Sequence, residues 1–536
     1  MFYENGIWIA SCGEERLKIV PKMANRHGLI AGATGTGKTV TLKVLAESFS
    51  DAGVPVFLAD VKGDLAGMCE PGVDSEDMQA RTAAFGLEAC GFQYHAYPVC
   101  FWDIYGEKGL PLRTTISEMG PVLLARLMDL NNTQSDILTI VFRIADDEDL
   151  LLLDTKDLRA MLNYVGENSR EYSARYGNLP RQSINAILRN LVALEEQGGD
   201  QFFGEPALDI HDWFRMDGNS RGIINILHSE SLISNPMMYS TFMLWMLSEL
   251  FEVMPEAGDC AKPKMVFFFD EAHLLFKGAP KALLSKIEQV VKLIRSKGIG
   301  VYFITQSPGD IPDEVLGQLG NKIQHALHAY TPADQRAVKA AADSFRVNPE
   351  FDTRKVLTQL GIGEALVSFL EEDGVPSVVK RARILPPQSK MGPIGEGRRL
   401  AEIEGTPLHT RYGTMIDRDS AYEFFQRKMA ADEEAAQKAK EEAQRLKEEE
   451  KARKEAEKAA AKEEAARLKA EERERRAAAN ARKRAVGSVA KTAGGTIGRE
   501  IGNEIGKTVG GSFGKRLGGN LGASIGRGIL GTFFGR

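Results

Sequence analysis

Eight consecutive residues, Gly32-Ala33-Thr34-Gly35-Thr36-Gly37-Lys38-Thr39, carry the first chemistry legible in this chain. Their pattern, GxxxxGK[ST], suits a loop whose backbone N–H groups meet phosphate oxygens at a helix start, because the glycines permit the tight inward turn. Lys38 would then reach the β and γ phosphates, and Thr39 would offer its hydroxyl to Mg²⁺. Asp270-Glu271, which ends an apolar run, supplies the complementary half. An aspartate there holds Mg²⁺ through its water shell, and Glu271 is placed to activate the attacking water. The chemistry implied is hydrolysis of a nucleoside triphosphate, with ATP and Mg²⁺ as the expected ligands.

Other polar residues join this set less tightly. Thr305-Gln306 closes the next apolar run, where Gln306 could sense the γ-phosphate or orient the water, or merely cap a turn. Arg295 lies between these two runs; an arginine finger and a surface arginine are equal readings of the residue alone. Asp60, Lys62 and Asp64 follow another apolar run and either line the site or form a solvated turn. His325 and His328 sit three apart with no carboxylate or cysteine close in sequence, which disfavours a metal site. His273 completes an Asp-Glu-Ala-His string that reads as local geometry.

The elements that must position these groups are short buried strands. His27–Ala31 reads as a strand before the loop, and Val40–Ser50 as the helix after it, which is the context the motif requires. Val54–Asp60, Met265–Asp270 and Gly300–Thr305 are apolar runs ending in polar residues, as expected of strands buried on both faces of a parallel sheet with chemistry at their carboxyl ends. Residues 115–255 show helical spacing, as in Ile184–Glu196 and Phe242–Phe251, and read as a mostly helical insertion. The fold class is therefore α/β with a mainly parallel sheet.

The 536 residues have a net charge of −6, which excludes a wholly basic surface but not a basic channel inside an acidic total. Five cysteines without a CxxC pair fit reduced thiols and point to the cytoplasm. The first residues lack the basic and apolar regions of a signal peptide, and no run of apolar residues is long enough for an ordinary membrane-spanning helix. Pro386-Pro387 and the glycines of 391–397 suggest that the catalytic body ends near 395, followed by a linker over 396–427. Residues 428–485 are dominated by Ala, Glu, Lys and Arg, with few large apolar residues at heptad positions. They read as a charged helical spacer, with a coiled coil as the alternative.

From 486 to 536, glycine recurs every four residues beside a large apolar residue, from Ile497-Gly498 through Ile525-Gly526. Such glycines create a helix face that another backbone can approach closely. Lys491, Arg499, Lys507, Lys515, Arg516, Arg527 and Arg536 make this tail cationic, suited to anionic membrane, nucleic acid or protein; a flexible tail is the alternative. Peripheral attachment at the inner face of the membrane follows from the membrane reading.

The ordered set GATGTGKT, Asp60-Val61-Lys62-Gly63-Asp64, FFFDEAH and RSKGIGVYFITQSP resembles the HerA/FtsK superfamily of ring-forming DNA-translocating ATPases, closest to a bacterial HerA-like branch, the YjgR-type family. The resemblance covers about residues 5 to 390. It implies a RecA-like P-loop core, a homo-hexamer, double-stranded DNA as substrate, Gln306 as sensor and Arg295 as a finger acting on a neighbouring subunit's nucleotide. Too few residues precede Gly32 for the N-terminal barrel with which HerA proper contacts a nuclease, so a nuclease partner is not implied. The spacer and glycine tail depart from the translocase pattern and support a second reading, an ATPase switch anchored by its tail to membrane or protein without DNA translocation.

Overall fold

The computed structural model describes residues 1–277 and 281–485. The glycine-repeat tail, 486–536, lies outside the described residues. Thirteen strands form one sheet: β1 (Phe2–Tyr3), β2 (Gly6–Cys12), β3 (Glu15–Ile19), β4 (Gly28–Ala31), β5 (Val56–Asp60), β6 (Val99–Asp103), β7 (Leu110–Pro111), β8 (Ile224–His228), β9 (Met265–Phe269), β10 (Ile299–Thr305), β11 (Asn321–Gln324), β12 (Glu364–Ser368) and β13 (Lys380–Ile384). Their order is β1-β2-β13-β12-β11-β4-β10-β9-β5-β8-β6-β7, with β3 on β2. From β11 to β7 every neighbouring pair is parallel, whereas β1, β2, β3, β12 and β13 add antiparallel pairings.

The parallel block forms because its strands are apolar on both sides. Met265, Val266, Phe267, Phe268 and Phe269 are all buried. Phe268 faces the helix Lys38–Asp51, where its ring lies 6.2 Å from Phe49 and 5.3 Å from Tyr302. Phe267 and Phe269 face the opposite layer, with Phe267 5.4 Å from Phe57 and Phe269 5.6 Å from Phe303. Two hydrophobic clusters therefore sandwich the sheet. Fully burying a side chain of this size contributes about 1.5–3 kcal/mol, so a polar substitution here costs more than any surface change. Gly28 is set by packing: a Cβ there would lie 2.3 Å from Tyr302, whose hydroxyl donates to Ala24 O at 3.1 Å.

Two expectations from the sequence need correction. The stretch 115–255 holds helices at Ile116–Leu127, Asn132–Asp147, Thr155–Glu167, Arg181–Glu196 and Pro236–Val253, but it also contains β8, which pairs with β5 and β6 inside the sheet. The body also does not end near 395, and 396–427 is not a free linker: the first compact unit runs to Asp432. Tyr412 is fully buried 5.4 Å from the Trp102 ring, and its hydroxyl donates to Asp212 at 2.6 Å. Ser420 donates to Asp157 at 2.6 Å, and Phe425 packs 4.5 Å from the Tyr164 ring. Tyr412, Ser420 and Phe425 hold this segment down, too sparsely to show as a periodic pattern.

The helix Ala421–Ala485 continues past this boundary. Over the described part of the second unit its side chains are exposed, including Leu446 and Leu468, and i,i+4 ion pairs such as Lys438–Glu434 and Lys454–Glu450 line it. Among the described residues no helix is long and apolar enough to cross a membrane.

His27, just before β4, is buried between Val291 O, 2.8 Å from Nε2, and the Val301 N–H, which donates to Nδ1 at 3.0 Å. Only the neutral ring fits both partners, and burial pushes its pKa down to about 4. A histidine with a lowered folded pKa contributes stability that is complete above the unfolded value and is lost as pH falls toward the folded one. His27→Gln should therefore be less stable than the parent at pH 7, with the difference narrowing by up to about 3 kcal/mol as pH falls from 6.5 to 4. Chemical denaturation of both proteins across that range checks this; a constant difference contradicts it.

Candidate functional site

The loop from Gly32 to Gly37 is fixed by bonds to the strands and turns around it. Gly32 N donates to Thr305 O on β10 at 3.3 Å, and Ala33 N donates to Ala326 O beyond β11 at 2.9 Å. The Thr36 hydroxyl donates to Ala33 O at 2.8 Å, and Gly363 N donates to Thr36 O at 3.2 Å. Gly35 and Gly37 adopt φ of +79° and +110°, which their side-chain-free backbones permit. The helix Lys38–Asp51 begins immediately after and starts with Lys38 and Thr39, so its positive end faces the loop. Thr34 and Gly35 are exposed at the loop's tip.

Lys38 folds back on this loop, donating to Gly32 O at 2.6 Å and Ala33 O at 3.0 Å. Burial lowers its pKa, and Glu271 and Asp270 oppose that shift, so the three groups share one electrostatic environment. The sheet order explains their convergence: β10 lies between β4 and β9, placing the carboxyl ends of β9 and β10 beside the loop. Asp270 follows β9 directly, and burial, then Glu271, push its carboxyl up to about 6. Its Oδ1 accepts the Glu271 N–H at 2.9 Å, while Tyr239 OH donates to Asp270 O at 2.8 Å.

Glu271 takes a left-handed φ of +47°, a conformation that costs a non-glycine residue about 1–3 kcal/mol and that surrounding structure must enforce. Gln306 Nε2 donates to Glu271 Oε2 at 3.5 Å, and His273 Nδ1 lies 3.4 Å from the same oxygen. Gln306 and His273 line a cleft of about 550 Å³ with Ala33 and Thr34. Thr39 and Asp270 offer the hard oxygen donors that Mg²⁺ takes alongside several waters, and a cation there would relieve the raised Asp270 carboxyl.

The remaining candidates fall elsewhere. Arg295 is exposed at the amino-end of β10, in a short turn Arg295–Lys297, and its carbonyl meets Asn25 Nδ2 at 3.5 Å; the fold does not bring it to its own chain's cleft. Asp60 ends β5, one strand beyond β9; its Oδ2 accepts Leu65 N at 3.1 Å, its Oδ1 is buried with no hydrogen-bond partner among the described residues, and burial followed by Asp64 raises its pKa to about 6. Lys62 acts on both Lys38 and Asp270 through its charge. His325 and His328 do separate things: His328 stacks on Tyr330, whereas His325 is buried under the phosphate loop.

His325 is the site residue whose role sequence spacing did not suggest. Its Nε2 meets the Thr41 hydroxyl at 2.8 Å and its Nδ1 meets Glu364 O at 3.0 Å. A Cβ on Gly32 would lie 2.5 Å from His325 Cβ, so histidine and glycine pack as one unit. Burial pushes the His325 pKa down to about 4, which keeps a second positive charge away from Lys38. The only signal in the sequence was its position one residue past β11.

A phosphate loop at a helix start, an Asp-Glu pair one strand removed and a glutamine on the strand between define a P-loop NTPase. A family model described as "Helicase HerA-like C-terminal" matches residues 8–517, and the chain belongs to that family. It is 22% identical over 354 residues to "Probable helicase MJ1565" of Methanocaldococcus jannaschii, covering 65% of this chain and 60% of that protein. It is 21% identical over 383 residues to the DNA double-strand break repair helicase HerA of Sulfolobus acidocaldarius, covering 68% and 66%. The chain thus spans less than two thirds of the length of these two relatives. Among solved structures, the VirB4 of Thermoanaerobacter pseudethanolicus is similar with a TM-score of 0.46 and 15% identity, over 71% of this chain and 96% of that one.

Lys38→Ala should weaken binding of a nucleoside triphosphate and abolish its hydrolysis, because the ammonium would touch ground-state phosphates. Glu271→Gln should still bind it but turn over at least about a hundredfold more slowly, the lower range for a lost general base. Equilibrium binding alongside single-turnover kinetics separates the two effects; parental turnover by Glu271→Gln removes the assignment.

Proposed function

We propose that this protein is an ATP-hydrolysing motor that works as a ring of six copies on double-stranded DNA in the cytoplasm. The observation that supports hydrolysis most is the meeting of Glu271 and Gln306 across β9 and β10, beside the loop that holds Lys38. The loop amides and Lys38 bind the triphosphate, Gln306 orients the attacking water, and Glu271 accepts its proton. Thr39 and Asp270 would hold a Mg²⁺, which would supply charge neutralisation at the phosphates. DNA enters the proposal through the family and the relatives' names, since the net charge of −6 gives no general basic surface. Arg295, facing away from its own cleft, is proposed to complete the neighbouring subunit's site, where a guanidinium stabilises transition-state charge.

Two assays test this. Double-stranded DNA should accelerate ATP turnover severalfold, in the full chain and in a form ending at Asp432. No acceleration in either sinks the DNA motor; loss only on truncation assigns DNA contact to the later residues, and an unstimulated ATPase that sediments with anionic vesicles supports the tail-anchored switch. Mixed rings of Arg295→Ala and Glu271→Gln subunits should recover activity above both parents, because some interfaces carry both intact groups. If mixed rings form and no mixture exceeds its parents, the role in trans is wrong.

A further inference from the structure

The phosphate loop has two sides, and only one is occupied by the hydrolytic groups. Glu271 and Gln306 stand on the β10 side of β4, which fixes where the γ-phosphate must lie. The nucleoside end of the same ligand therefore leaves on the other side, toward β11 and β12.

There the turn Gly361–Gly363 meets the loop directly. Gly363 N donates to Thr36 O at 3.2 Å, and a Cβ on Gly37 would lie 3.3 Å from Gly363 N. Ile362, beside it, is 81% exposed, an isoleucine with almost no packing at the rim of a polar site. Arg81, on the helix Glu76–Ala84, lies against the same turn: a Cβ on Gly363 would be 2.2 Å from its Nη2. The glycine thus leaves room for this guanidinium. Nearby Arg381 is held by Glu364 at 2.6 Å, but Arg81 has no ion pair among the described residues. A planar cation without a partner and an exposed aliphatic side chain, set on one glycine turn, match the face of a base and the hydroxyl-bearing ribose.

We propose that Arg81 and the Ile362–Gly363 turn form the nucleoside half of the site, taking the base and ribose of a nucleoside triphosphate whose phosphates lie on residues 32–39. This rests on the reading of that loop as a triphosphate site. Ile362 is exposed and Arg81 half-buried, and neither belongs to a strand or to the sheet's hydrophobic clusters, so their replacement leaves the packing of the sheet intact.

The test compares ATP with inorganic tripolyphosphate, which has the phosphates alone, by calorimetric titration of full-length parent, Arg81→Ala, Arg81→Lys and Ile362→Ala. Each variant should bind ATP about tenfold more weakly, the range for a stacked or cation–π contact, while tripolyphosphate affinity stays within about twofold. Lysine keeps the charge but not the plane, so its failure to restore ATP affinity separates stacking from simple attraction of phosphate. Unchanged ATP affinity in all variants overturns the proposal, as does an equal loss for both ligands. If the parent binds neither ligand, the triphosphate reading of the loop fails instead, and the proposal falls with it.

Discussion

The phosphate loop can receive an anion only if its carbonyls are kept from it, and in this protein four of them, on Gly32, Ala33, Thr36 and Gly37, already have a donor. Lys38 covers Gly32 O and Ala33 O, the Thr36 hydroxyl shares Ala33 O, Gly363 N covers Thr36 O, and Thr41 covers Gly37 O. With these bonds in place the loop is held in one shape before a ligand arrives, and little ordering remains to oppose binding. Strands β10, β11 and β12 supply the bracing, so the loop's shape depends on the order of the sheet.

Charge around the loop is balanced by the same burial. Two histidines beneath the P-loop strand and loop are kept neutral, with pKa values pushed down to about 4, whereas Asp270 and Asp60 are pushed up to about 6. Their contributions to stability have opposite signs: the histidines lose theirs as pH falls from 6.5 to 4, and the carboxylates cost stability as pH rises from 3.8 to 6. The carboxylates are a standing cost of a site built for a cation and a triphosphate, and the strained backbone of Glu271 belongs with them. On the far side of the helix Lys38–Asp51, Glu47 accepts from Gln388 N, Ser389 N and Ser389 Oγ, and Lys43 donates to Lys390 O. Those bonds tie the helix to the segment after β13.

The parts legible in the sequence were those whose physics is local. The loop glycines sit at fixed offsets between an apolar run and a helix, and the runs before Asp60, Asp270 and Thr305 are long enough to read as buried strands. What escaped was set by long-range pairing. β8 is five residues, Ile-Asn-Ile-Leu-His, inside a helical stretch, and only its partners β5 and β6 make it a strand. Pro386-Pro387 reads as the end of a domain, yet the buried Gln388 and Ser389 bind Glu47 on the first helix of the core. His325 offers no spacing that marks it, since its partners Thr41 and Glu364 lie far away in sequence on either side.

The account rests on a loop already shaped for phosphate, and the most direct measurement is a structure with a non-hydrolysable ATP analogue and Mg²⁺. It should show the backbone of residues 32–37 unmoved, with the Lys38 ammonium transferred from Gly32 O and Ala33 O to the β and γ phosphates, the metal between Thr39 and Asp270, and Glu271 within one water of the γ-phosphate. A loop that refolds on binding, or an analogue whose phosphates lie away from residues 32–39, would contradict it.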